Sequence, residues 1–62
     1  MTLFITILNF DKGSVDVIRT ETVASSLREV TPELVEEILD YRGYSAKNIQ
    51  YMVTEELSIN MV

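Results

Sequence analysis

Residues 2–10, Thr-Leu-Phe-Ile-Thr-Ile-Leu-Asn-Phe, are a nearly unbroken run of β-branched, aromatic and aliphatic side chains. Such residues favour a strand. Successive strand side chains point to opposite faces, so a run without polar alternation makes both faces apolar. A strand of this kind needs cover on both sides. The chain has only 62 residues with which to provide it.

That length allows one domain. A chain this short buries only about 60% of its unfolded surface, and small proteins make up the shortfall with disulfides, a metal, tight packing or a partner copy. Cys and His are both absent. Their absence removes disulfide frameworks, zinc fingers and cysteine nucleophiles. Close packing or self-association is left. The apolar start has no basic region before it, and Asp11 and Lys12 interrupt it. It is too short to span a bilayer and lacks a signal-peptide pattern, so a cytoplasmic chain without a membrane partner is expected.

Asp11-Lys12-Gly13-Ser14 supplies turn residues, and Val15–Thr20 reads as a returning strand. A β-hairpin is predicted. With Phe10 opposite Val15, one face carries Phe4, Thr6, Leu8, Phe10, Val15 and Val17, and the other Leu3, Ile5, Ile7 and Ile18. With Phe10 opposite Ser14, the second strand flips and both faces stay apolar. Residues 22–30 carry a helical stripe of Val23, Ala24, Leu27 and Val30 weakened by Ser and Thr. They read as a short helix or a structured loop.

Residues 32–42 are predicted to be the main helix. Thr31 is a suitable N-cap, Pro32 suits the first helical position, and Gly43 stands where a C-terminal glycine belongs. Leu34, Val35, Ile38, Leu39 and Tyr41 share one side of it. Beyond Ser45, apolar Ile49, Tyr51, Val53, Leu57, Ile59 and Met61 alternate with polar residues. This predicts strands at about 48–54 and 57–61, joined at Glu55-Glu56. A competing helical reading takes Ser45 as a cap with Ile49, Met52 and Val53 as the stripe. The expected fold is α+β in the order ββαββ. Three or four antiparallel strands carry one helix, over a core of Ile5, Ile7, Val17, Leu34, Ile38, Leu39, Ile49, Tyr51 and Val53.

Chemistry is sparse in this sequence. The commonest general base and the best nucleophile are missing, and no P-loop, dinucleotide fingerprint or nucleophile elbow occurs. A non-catalytic chain without cofactor or metal is expected. Its net charge is −5, which disfavours nucleic acid, since phosphate contacts need surplus Lys and Arg. Tyr41, Tyr44 and Tyr51 read as core-edge residues for the same reason. Two surfaces are candidates for binding. Glu33, Glu36, Glu37 and Asp40 lie together on the polar side of the helix, where they keep the protein in solution or engage a basic protein as an inhibitor, antitoxin-like partner or nucleic-acid mimic. Phe4, Leu8 and Phe10 lie on the second face of the hairpin and are candidates for self-association, a homodimer being expected. A small interaction or regulatory module is the function this pattern favours.

Overall fold

The computed structural model describes residues 1–56. The N-terminal run forms strand β1, Thr2–Asn9, which pairs antiparallel with β2, Ser14–Glu21. The turn between them begins at Asn9. Its Oδ1 accepts the backbone N–H of Asp11 at 3.1 Å and of Lys12 at 3.3 Å, a local side-chain mimic of a turn. Gly13 closes the loop at φ +65°, a conformation that glycine enters freely.

Neither pairing expected for Phe10 forms, because the Asn9 side chain takes up the amides of Asp11 and Lys12 and the ladder ends at Asn9–Ser14. Phe10 lies in the turn and donates its N–H to the carbonyl of Asn48 at 3.1 Å. The register differs from a Phe10–Val15 pairing by two residues. An even shift keeps every side chain on its face, so the division into two faces stands.

Strand β3, Ile49–Thr54, pairs antiparallel with the other edge of β1, giving the sheet order β2-β1-β3. The most apolar strand is therefore the central one. Residues 46–48 form one 3-10 turn immediately before β3, so a short helical start and a strand share the segment for which helix and strand competed. The strand expected at 57–61 lies outside the described residues. Within those residues the elements run ββαβ in an α+β arrangement.

The helical reading of 22–30 contracts to one 3-10 turn, Leu27–Glu29. Glu29 fixes it by accepting both the N–H and the hydroxyl of Ser25, at 3.0 and 2.8 Å. Those two bonds hold the Glu29 carboxyl below its ordinary pKa. Helix α1, Pro32–Tyr41, follows. The Thr31 hydroxyl accepts from Leu34 N at 3.2 Å, and Val30 packs beside the core residue Val35, the apolar contact that sets a helix entry angle.

The helix ends in a Schellman motif. Tyr44 N donates to Leu39 O at 2.9 Å and Gly43 N to Asp40 O at 3.0 Å, with Gly43 at φ +86°. That geometry turns the chain back so that Tyr44 packs on the core.

The core joins Ile5, Ile7 and Ile18 of the sheet to Val35 and Leu39 of the helix, with Val30, Ile38, Tyr44, Ile49, Tyr51 and Val53 around it. Two expected core residues are displaced. Val17 faces away from the helix and Ile18 takes its place. The helix is also rotated so that Val35 is buried and Leu34 is half-buried. Tyr41 is exposed rather than set at the core edge.

Candidate functional site

Helix α1 covers one face of the sheet. On that face Leu3, Ile5 and Ile7 of β1 are all fully buried, Ile5 and Ile7 in one cluster with Val35 and Leu39 of α1. The alternate residues Phe4, Thr6 and Leu8 stand on the other face, and the register builds a grid around them. Thr6 lies between Val17 and Met52, Leu8 between Val15 and Gln50, and Phe4 between Arg19 and Thr54. No described element lies across this face. Val15 is 65% exposed, Met52 58%, Val17 42% and Leu8 40%. These are large apolar side chains in one contiguous patch, the pattern that marks interaction surfaces on small proteins. An open depression of about 310 Å³ lies over the β1–β3 side, lined by Thr6, Leu8, Gln50, Tyr51 and Met52.

The grid holds little charge. Arg19 and Glu21 are its charged members, and they cancel. Glu21 also accepts the hydroxyl of Thr2, its cross-strand neighbour on the same face. At the middle of the grid, the Thr6 hydroxyl is shielded by its neighbours and makes no hydrogen bond. A buried hydroxyl without a partner costs about 1–3 kcal/mol.

The expected self-association residues divide. Phe4 and Leu8 meet on this face, whereas Phe10 is exposed in the turn and outside the ladder. Val15, Val17 and Met52 belong to the patch beside them. Met52 had a signal in the sequence, as the apolar exception at an even position among polar even neighbours.

The second candidate surface is also in place. Glu33, Glu36, Glu37 and Asp40 are all exposed along α1. Glu33/Glu37 and Glu36/Asp40 repel across one turn by a few tenths of a kcal/mol each. They stand on a convex helix, and among the described residues no group of three or more acidic side chains is arranged to hold a metal ion.

One polar contact ties the end of the helix to the sheet. The Tyr44 hydroxyl donates to Asp16 Oδ2 at 2.8 Å. Accepting the phenolic proton raises the Tyr44 pKa, with burial and the nearby Asp16 charge acting in the same direction. Asp16 lies on the helix side of β2, opposite Ile7, so this bond straps an edge strand to the loop after α1. Among the described residues no helix is long and apolar enough to cross a membrane. Comparison with protein-family models, curated proteins and solved structures finds no match to the chain.

Proposed function

We propose that this chain is a small, cytoplasmic, non-catalytic protein-protein interaction module whose working surface is the sheet face opposite α1. One observation carries the reading: a three-stranded sheet leaves Leu8, Val15, Val17 and Met52 open on the side the helix does not reach. These side chains are about half exposed, so covering them recovers roughly half of the ~1.5–3 kcal/mol that full burial of each is worth. A partner on this face recovers part of that energy.

A second reading assigns the binding to the acidic side of α1, where Glu33, Glu36, Glu37 and Asp40 all face solvent. It calls for a basic protein partner and a salt-sensitive complex. A photo-crosslinking amino acid at Val17 and, separately, at Glu36 tests both readings in cells. Adducts from position 17, whether to another protein or to this chain, support the sheet face. Adducts from position 36 alone transfer the function to the acidic helix. Adducts from neither position overturn both.

A further inference from the structure

We infer that the occupant of the open sheet face is a second copy of this chain, packed sheet to sheet about a two-fold axis that passes between the two Thr6 residues. The inference rests on the reading above and names its partner.

Three observations single out a second copy. The first is charge. The chain carries −5 overall, so two copies repel unless they meet where that charge is absent. The open face is such a place, with Arg19 and Glu21 cancelling each other. The acidic residues of α1 belong to the opposite side of the sheet, and in a sheet-to-sheet pair they point outward and apart.

The second is the position of Thr6. It is the middle residue of the grid, between Val17 and Met52 on the central strand, and its hydroxyl is unbonded. An isologous contact sets a surface against itself. A two-fold axis lying in the contact plane through the centre of the patch brings Thr6 of each copy together. Rotation about χ1 then turns each hydroxyl toward the other across the ~10 Å between packed sheets, and one water bridges the gap left between them. An unrelated partner needs a polar group placed to match, whereas a second copy brings one by symmetry.

The third is area. Two strands of eight residues and one of six, about 4.8 Å apart and rising about 3.3 Å per residue, outline a flat footprint of roughly 350 Å² per copy. Doubling it gives roughly 700 Å², before side-chain relief adds to it, against the ~1,000 Å² that marks a specific interface. A footprint of this size is that of a weak, transient contact, so the dimer is expected to be reversible and to form between ~1 μM and ~1 mM.

Sedimentation equilibrium of the full chain from ~1 μM to ~1 mM tests this directly. The expected result is a rise in mass from one chain to two. Thr6→Lys, which sets two like charges together at the axis, is expected to remain monomeric throughout. Glu36→Lys, on the helix, is expected to dimerise as the unmodified chain does. Circular dichroism checks that each variant is folded, and Val15→Lys repeats the test if Thr6→Lys is not. A Thr6→Lys or Val15→Lys protein that still dimerises overturns the inference, and so does an unmodified chain that stays monomeric at the highest concentration.

In that last case a soluble nitroxide separates the two readings. Strong broadening of the methyl signals of Leu8, Val15, Val17 and Met52 means the face is free in the monomer, so only the second copy is lost as occupant. Weak broadening means the chain covers its own face, and the interaction surface is lost with it.

Discussion

Val17 and Ile18 are neighbours on one strand with similar side chains and opposite fates. Ile18 is 7% exposed under the helix, while Val17 is 42% exposed on the far side of the sheet. Both faces are apolar enough to form a core. The helix side is distinguished by what its polar members can do. Asn9 caps the turn, and Asp16 receives the Tyr44 hydroxyl, while the Ser14 hydroxyl, opposite Asn9 on the same side, is buried without a partner. On the open side, the unbonded Thr6 hydroxyl gains nothing from a helix laid over it. Each face thus holds one buried hydroxyl without a partner, and what sets the helix side apart is the cross-link from Tyr44 to Asp16.

Truncating both residues breaks the comparison most sharply. Ile18→Ala removes core volume and is expected to cost about 2–4 kcal/mol, a large share of what a chain this small holds. Val17→Ala removes a side chain that already meets water, and its cost is expected to stay below about 1 kcal/mol. For a domain of this length the two variants should melt more than about 5 °C apart by circular dichroism. Measured at low micromolar concentration, the comparison reads the isolated chain. Equal losses for the two variants mean that the face carrying Val17 is covered even there.

The sequence discloses this architecture in layers. The hairpin, the helix with its Thr31 and Gly43 boundaries and the partition of β1 into two faces all follow from local rules, and these hold. What it conceals is long-range. Which face of an all-apolar strand meets the helix depends on the loop that brings Tyr44 to Asp16, residues 28 positions apart. The expected core has the covered face of β1 right, with Ile5 and Ile7, and misses on register: Val17 shares that face only when Phe10 lies opposite Ser14, whereas the observed pairing sets Ile18 opposite Ile5. The register of the hairpin turned on Asn9, whose side chain closes the turn one residue before the Asp-Lys-Gly-Ser pattern implies. Residues 46–54 carried both helical and strand periodicity, and both are used, a 3-10 turn at 46–48 leading directly into β3. Of the candidate sites, Phe4 and Leu8 were legible from parity alone. Val15 and Val17 join them in one of the two hairpin registers read from the sequence, and Met52 becomes part of the patch only when β3 is set beside β1.

A smaller effect is expected at the point where α1 is turned onto its face. Gly43 sits at φ +86°, and a Cβ there meets no atom within 4 Å. Gly43→Ala therefore encounters no steric clash, and its cost is backbone strain alone, about 1–2 kcal/mol. Chemical denaturation should report that loss. Because the Schellman turn delivers Tyr44 to the core, it should loosen the covered face and leave the open face unchanged. Backbone amide shifts confined to α1, the loop after it and the helix-side residues of β2 are the expected signature.

The finest distinction between the faces is a titration. The Tyr44–Asp16 bond holds Tyr44 in its protonated form and raises its pKa above the ordinary value near 10. The folded state therefore keeps a proton that the unfolded state gives up. The stabilisation this provides is fully present below the unfolded pKa and is lost as the pH rises through the folded one. Ultraviolet absorbance should show a tyrosinate component appearing above the ordinary range, and Tyr44→Phe should delete that component. Asp16→Asn removes the acceptor charge and should return Tyr44 toward its ordinary value. At neutral pH, Tyr44→Phe should cost about 1 kcal/mol, the net worth of one hydrogen bond. On crossing into alkali, the unmodified chain should lose that margin while Tyr44→Phe keeps what it has, so the two stability curves converge. Val17→Ala, a change on the other face, should shift the unmodified curve without altering its alkaline slope. An altered slope in that variant would couple the two faces through β2 and remove the independence on which their separate roles depend.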